Sequence, residues 1–278
     1  MIVLGQLLRQ HIKKIQNECS DFTDREAVML LSFGLGIPVT DVCLYQNREI
    51  SSTELTSICG LMRRRVLGEP TAKIIGKKEF WNSSFYVDGT VLDPRPETEI
   101  LIETVLNNST NCKTILDLGT GSGCIAISLD LELKKVKVMG SDISSEALHI
   151  ARKNSKSNKA SVSFVRSDWF ESISKKYDII VSNPPYIKDN ELITLPQAVR
   201  NYDPWTALAG GEDGLKCYRK IASSISLFLN EGGVGIFEIG FGQKNSVIKI
   251  FSSYGLSCFD VKQDLRGLDR VLCVKKDA

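Results

Sequence analysis

The sequence predicts a doubly wound α/β unit with a mostly parallel sheet, preceded by a small helical domain and a hairpin linker. Three observations carry this. From about residue 94 onward strand-like and helix-like segments alternate, which builds βαβ units. A glycine run ends the first of those strands and opens a helix. The first 70 residues instead carry apolar side chains at helical spacing. A chain of 278 residues is long for one core and comfortable for two.

In the N-terminal part Leu4, Leu7, Leu8, Ile12 and Ile15 form one stripe. Thr23-Asp24-Arg25-Glu26 and Ser51-Ser52-Thr53-Glu54 are capping-box patterns ahead of apolar runs, with Gly34 and Gly36 as stops of the first helix and Gly68 and Pro70 ending the second. Lys73 to Phe80 and Phe85 to Leu92 flank Trp81-Asn82-Ser83-Ser84 and read as a hairpin. Beyond it, strands fit Thr114 to Leu118, Val136 to Ser141, Ser161 to Arg166, Tyr177 to Ser182 and Gly233 to Ile239. Helices fit Cys124 to Leu133, Ser145 to Ser155, Leu215 to Leu229 and Lys244 to Ser253. Leu256 to Asp260 and Arg270 to Val274 read as a closing hairpin that puts one antiparallel strand into the parallel sheet. The expected division is a helical domain over 1–72, a linker over 73–93 and an α/β domain over 94–278.

Composition narrows the chemistry. A formal net charge of +2 is too small for a strong footprint on bare nucleic acid, and the one basic cluster, Arg63-Arg64-Arg65, reads as a solvated helix end. The eight cysteines (19, 43, 59, 112, 124, 217, 258 and 273) form no Cys-x-x-Cys pair, so they are expected as free, buried thiols in a reducing cytoplasm, with no metal site. No apolar run reaches the length of a membrane span. With only His11 and His149 present, histidine-rich metal sites and most Ser–His schemes are excluded.

Asp117-Leu118-Gly119-Thr120-Gly121-Ser122-Gly123 lies where ligands of open α/β sheets bind, beyond the carboxyl end of a strand. Asp142 closes the second strand, where a carboxylate accepts from ribose hydroxyls. Asp168-Trp169 follows the third and offers a hydrogen bond and an aromatic wall for an adenine ring. Each has a plainer reading: a tight turn for the glycines, a helix N-cap for Asp168, core packing for Trp169. The absence of a P-loop lysine argues against a phosphate cradle.

Asn183-Pro184-Pro185-Tyr186 follows the fourth strand. Two prolines in series stiffen the backbone and present the Asn183 side-chain carbonyl and the Pro184 backbone carbonyl as a rigid pair of acceptors. Such a pair receives the two N–H groups of an amino or amide nitrogen, and its bonds strengthen as the nitrogen gains positive charge. Tyr186 would wall in the planar group. The plainer reading is a Pro-Pro turn.

The Asp117 to Gly123 run resembles motif I of class I methyltransferases. Arg64 to Pro70, Pro94-Arg95-Pro96-Glu97-Thr98-Glu99, Ala207 to Leu215, Glu238-Ile239-Gly240 with Gln243, and Gly267 to Arg270 extend the resemblance to the protein-(glutamine-N5) methyltransferases of peptide chain release factors. That resemblance implies a Rossmann-like sheet and S-adenosylmethionine as cofactor, bound by Asp117, Gly119, Thr120, Gly121, Ser122, Gly123, Asp142, Asp168 and Trp169, with Asn183 touching cofactor and substrate. It implies that Asn183, Pro184, Pro185 and Tyr186 are catalytic, that Arg95 and Pro96 help bind substrate, and that the N-terminal helices hold a release factor. The enzyme is expected to be a cytoplasmic monomer without a nucleic-acid substrate. Asp203-Pro204 departs from the family's Glu-Pro. Read alone, Pro94 to Glu99 is also a helix start, and Gly210 to Gly214 a loop with an N-cap.

Asn-Pro-Pro-Tyr is shared with DNA adenine and ribosomal RNA guanine methyltransferases, so an exocyclic-amino nucleic-acid methyltransferase is the rival reading. A regulatory module without catalysis and a dinucleotide oxidoreductase are more distant ones.

Overall fold

The computed structural model describes residues 2–6, 12–13 and 22–277. Two compact units are present: Met1–Gly76 with Gln197–Tyr202, and Lys77–Pro196 with Asp203–Ala278.

The N-terminal unit is built on two reciprocal caps. Helix α1 (Asp24–Leu35) begins where the Thr23 hydroxyl accepts from Glu26 N at 3.2 Å while the Glu26 carboxylate accepts from Thr23 N at 3.0 Å. Helix α2 (Ser52–Val66) begins in the same way at Ser51 and Glu54. Each box satisfies two N–H groups that a helix start otherwise leaves open. Gly36, at φ 65°, ends α1, but Gly34 lies inside it. A Cβ at Gly34 would stand 2.8 Å from the Ile58 side chain, so this glycine permits close approach of α1 and α2 rather than stopping a helix. Ala27, Leu30 and Leu31 bury against Ile58 and Met62. Of the arginine cluster, Arg63 and Arg64 are exposed in the last turn of α2 as expected, Arg64 pairing with Glu69 at 2.6 Å, but Arg65 is 5% exposed and pairs with Glu26 at 3.0 Å.

A small sheet joins this helical unit, with β1 (Ile2–Val3) antiparallel to β2 (Glu49–Ile50). Leu4 and Ile12 of the N-terminal stripe enter the same core. Leu7, Leu8, His11, Ile15 and Cys19 lie outside the described residues. Lys73 to Ile75, expected as strand, belong to the short helix α3 (Thr71–Ile75). Pro70 has no N–H to lose at a helix start, and Gly76 in the left-handed region stops the chain after one turn.

The second unit opens with the hairpin of β3 (Lys77–Phe80) and β4 (Ser83–Tyr86), shorter than the sequence implied. Phe80 and Phe85 pack edge-to-face into the core beneath it. After α4 (Glu99–Asn107), the alternation runs β5 (Thr114–Leu118), α5 (Cys124–Glu132), β6 (Lys137–Asp142), α6 (Ser145–Ser157), β7 (Ser163–Arg166) and β8 (Tyr177–Ser182). After α7 (Gln197–Tyr202), which belongs to the N-terminal unit, it continues through α8 (Lys216–Phe228), β9 (Leu229–Glu238), α9 (Lys244–Ser252), β10 (Leu256–Gln263) and β11 (Asp269–Lys276). The seven-stranded order is β10-β11-β9-β8-β5-β6-β7, with β11 antiparallel to both neighbours and the other pairs parallel.

The central strands are buried almost throughout, and successive side chains enter two different cores. Leu116, Leu118 and Ile180 face one cluster; Ile115, Ile179 and Val181 face the other. A sheet covered on both faces is what near-continuous apolar strands require. Strand order reverses between β8 and β5, so the carboxyl ends of β5, β6, β8 and β9 meet at one edge, where open α/β sheets bind ligands. Cys43 and Cys59 are exposed, which corrects the expectation of buried thiols at those positions; Cys124, Cys217 and Cys273 are buried. No helix among the described residues is long and apolar enough to cross a membrane.

Candidate active site

The glycine loop turns from β5 into α5 through alternating left-handed residues, with φ of 71° at Gly119, 54° at Gly121 and 82° at Gly123. That explains the x-Gly-x-Gly spacing, since side chains rarely adopt this conformation. At Gly123 a Cβ would also meet Ile127 at 2.9 Å and Ala151 at 3.2 Å, so α5 could not sit so close to α6. Asp142 closes the loop from the side: Oδ2 accepts from Gly121 N at 2.8 Å, and Oδ1 accepts from Ser144 N at 2.9 Å. Burial raises its pKa, against these backbone bonds.

Gly119, Gly121, Asp142, Asp168, Trp169, Asn183 and Pro185 line one cavity of about 310 Å³. Trp169 stands on its wall with φ at +50°, a left-handed backbone that costs a bulky residue about 1 kcal/mol or more and recurs at functional sites. The Ser167 hydroxyl donates to the Trp169 carbonyl at 2.9 Å and helps hold that turn. Asp168 pairs with Lys220 at 3.2 Å.

Asp117, Thr120, Ser122, Gly123, Arg95, Pro96, Pro184 and Tyr186, also expected at the site, do not line this cavity. Asp117 is wholly buried, and one carboxylate oxygen accepts from the Thr120 hydroxyl at 2.6 Å. Burial pushes its pKa up to about 7, with the Thr120 hydroxyl and the Ala126 amide pulling the other way. Thr120 and Ser122 are buried as well; the Ser122 carbonyl accepts from Asn154 Nδ2 at 2.9 Å, and the same amide group donates to Tyr86 O at 3.0 Å. These groups brace the loop. Arg95 pairs with the buried Asp203 at 2.8 Å, so the Asp-Pro departure still supplies a carboxylate; Pro96 is exposed at the first position of a 3₁₀ turn.

Asn183 to Tyr186 leave β8 along a path held from three sides. Asn183 Nδ2 donates to Thr98 Oγ1 at 3.2 Å, and the Thr98 hydroxyl donates to Glu238 Oε2 at 2.7 Å. The Tyr186 hydroxyl donates to Glu238 Oε1 at 3.4 Å, and the Tyr186 carbonyl accepts from Gln243 Nε2 at 3.0 Å. Burial and the neighbouring Glu238 charge raise the Tyr186 pKa, so the phenol stays a donor. The Ala209 to Gly214 loop closes the third side. Ile187 N donates to Leu208 O at 3.0 Å and Gly210 N to Ile187 O at 2.7 Å. A Cβ on Gly210 would lie 2.8 Å from Tyr186 Cα. That loop is therefore a packed support for the tetrapeptide.

Two family descriptions match: the Methyltransferase small domain over residues 92–199 and the PrmC N-terminal domain over residues 6–76. The release factor glutamine methyltransferase of Agrobacterium fabrum is 40% identical over 259 residues, covering 90% of this chain and 90% of that protein. The chain belongs to the release factor glutamine methyltransferase family. A second member, from Geobacter sulfurreducens, is 38% identical over 89% of this chain and 87% of its own. Among solved structures, a methyltransferase from Pyrococcus furiosus shares the fold, with a TM-score of 0.57 at 18% identity, covering 79% of this chain and 99% of that one.

For a member of this family, sequence reasoning assigned no role to Thr98, Glu238 or Gln243 individually, although the segments holding them carried the resemblance. A usable signal existed for Glu238. It closes β9 one residue beyond Phe237, which pairs with Ser182, so it is level with Asn183 across adjacent parallel strands. A carboxylate ending a central strand had already been the reason to single out Asp142. Thr90, Val91 and Leu92, assigned only to a linker, also line the cavity.

Proposed function

We propose that this chain methylates the side-chain amide nitrogen N5 of the glutamine in the Gly-Gly-Gln loop of peptide chain release factors, using S-adenosylmethionine. The observation that carries the reading is a single cavity that joins the glycine loop and Asp142 to Asn183 and Pro185. The residues fit the cofactor. A volume of about 310 Å³ is at the lower end for small-molecule sites. A strand-end carboxylate suits ribose hydroxyls, and Trp169 offers a flat wall for adenine. Asp142, Gly119, Gly121, Asp168 and Trp169 would hold it, with Asp117, Thr120, Ser122 and Gly123 bracing the loop. When bound, S-adenosylmethionine supplies a sulfonium-activated methyl group.

The remaining work falls to the protein. Asn183 Oδ1 and the Pro184 carbonyl accept the two N–H groups of the glutamine amide, fixing the nitrogen and its free face. An amide nitrogen is a poor nucleophile because its lone pair is delocalised. Acceptors that bind more strongly as positive charge develops lower the barrier in the transition state rather than the ground state. Tyr186 walls the planar group, Arg95 and Pro96 border the substrate, and no base is needed before transfer. The N-terminal helical unit would hold the body of the release factor. Consumption of Arg64 and Arg65 in ion pairs favours a protein over a nucleic-acid substrate. Exposed free thiols at Cys43 and Cys59 suit a cytoplasmic enzyme.

The test is transfer of methyl label from S-adenosylmethionine to a purified release factor, with tRNA, rRNA and DNA as parallel acceptors and peptide mass spectrometry to place the label. Label on the Gly-Gly-Gln glutamine, abolished by Asn183→Ala, is expected. Label on a nucleic acid alone would sink the release-factor assignment.

A further inference from the structure

We propose that Thr98 and Glu238 are positioning residues that decide which way round the Asn183 side-chain amide sits; the proposal rests on the reading that Asn183 Oδ1 receives the substrate amide. The two ends of an asparagine amide are nearly equal in size and opposite in hydrogen-bonding sense. Turned by half a rotation, Asn183 would offer N–H groups to a substrate that also offers N–H groups, and the acceptor pair would be lost. Packing alone discriminates poorly between the two orientations. A hydrogen bond of defined direction discriminates well.

The direction is set from Glu238. Burial pushes the Glu238 pKa up to about 7, and it is the carboxylate form, which only accepts, that sets the direction: Thr98 has a single hydroxyl proton, directed to Glu238 Oε2 at 2.7 Å. Thr98 Oγ1 then has only lone pairs to offer in the other direction. Asn183 must present Nδ2 to it, at 3.2 Å, which turns Oδ1 away from Thr98. Both relay members are 3% exposed, so water is not available as a substitute partner. The second Glu238 oxygen accepts from the Tyr186 hydroxyl, and the Glu238 backbone carbonyl accepts from Tyr218 at 2.9 Å. One carboxylate thus orients side chains at both ends of the tetrapeptide. Its placement is costly: burial disfavours its charge, and Arg270, whose charge favours it, spends its Nε on Asp264 at 2.9 Å. A buried carboxylate without a bonded cation is hard to explain by stability, because an apolar or amide side chain would be cheaper there. A requirement for a pure acceptor explains it.

Three substitutions separate the relay from simple packing. Thr98→Val keeps the shape and removes the relay. Thr98→Ser restores the hydroxyl with a smaller side chain. Glu238→Gln leaves Thr98 in place but lets an amide donate to it, reversing the sense of the chain. Kinetics with a release factor, calorimetric binding of S-adenosylhomocysteine, and the Asn183 side-chain ¹H–¹⁵N resonance in asparagine-labelled protein are the readouts. For Thr98→Val and Glu238→Gln we expect kcat to fall about 10- to 100-fold, with KM and S-adenosylhomocysteine affinity within about threefold. The Asn183 resonance should shift, and Thr98→Ser should recover most of the lost kcat. Equal losses in Thr98→Val and Thr98→Ser, an unmoved resonance, or a Thr98→Val enzyme within about twofold of wild type would overturn the proposal. Should Asn183→Ala itself retain turnover, the underlying reading of Asn183 fails, and the relay fails with it. If Asn183→Ala abolishes turnover and Thr98→Val does not, only the relay is refuted.

Discussion

Replacing Gly214 by alanine tests whether the Ala209 to Gly214 loop supports the Asn183 to Tyr186 tetrapeptide proposed to be catalytic. Gly214 has φ of +74°, and a Cβ built on it lies 2.5 Å from the Tyr186 carbonyl oxygen and 2.7 Å from Gln243 Nε2. Those two atoms are hydrogen-bonded to each other at 3.0 Å, so the added methyl group wedges into the bond. The left-handed conformation costs alanine about 1 kcal/mol relative to glycine, and overpacking adds roughly 1–3 kcal/mol if nothing moves. If the backbone yields instead, the Tyr186 carbonyl must retreat by about 0.9 Å to reach the 3.4 Å of ordinary contact. If that backbone carries the proposed catalytic acceptors, a displacement of ~1 Å can cost on the order of 100-fold in turnover. Gly232 is the matched control: φ is +71°, yet nothing lies within 4 Å of its Cβ position, so Gly232→Ala carries the conformational cost alone. Thermal unfolding and kcat are measured for both variants. Gly214→Ala should lose more stability than Gly232→Ala, or most of its turnover, or both. If the two variants unfold together and keep wild-type kcat, the loop is not a support for Tyr186.

Three other substitutions probe the site and the two units. Asp142→Asn should weaken S-adenosylhomocysteine binding by about 10- to 100-fold in calorimetry, because one of its two oxygens becomes a donor beside the Gly121 and Ser144 amides. Unchanged affinity would remove Asp142 from the cofactor site. Asp117 has a folded pKa raised to about 7 from 3.8, so its ionisation opposes folding: its contribution is fully favourable below the unfolded value and is lost as pH rises through 7. Asp117→Asn should therefore gain stability relative to wild type between pH 4 and 8, by at most roughly 4 kcal/mol, and a pH-independent difference would contradict the assignment. Arg65→Met leaves the Glu26 carboxylate without its buried partner and should cost the N-terminal unit about 3 kcal/mol in denaturant unfolding; a loss below about 0.5 kcal/mol would class the pair as dispensable.

Local patterns were the most legible part of this protein. Both capping boxes, the glycine loop, the βαβ alternation and the antiparallel closing hairpin depend on residues a few positions apart, and a one-dimensional chain records such distances directly. Gly34, Arg65 and Lys73 to Ile75 were misjudged for the opposite reason. What each does is set by a partner or a stop beyond its own segment: Ile58, Glu26 and Gly76. The candidate site divides along the same line. Sequence alone singled out the candidate residues, namely the glycine run, the strand-end carboxylates and the stiff Asn183 to Tyr186 ledge. Tertiary structure alone decided that Asp117 braces the loop from behind, that Gly214 backs Tyr186, and that Thr98 and Glu238 stand in line with Asn183. Thr98 and Glu238 are 140 residues apart in sequence. Their alignment with Asn183 depends on the register of β8 and β9 and on where the Pro96–Thr98 turn packs, and neither is written in the spacing of residues along the chain.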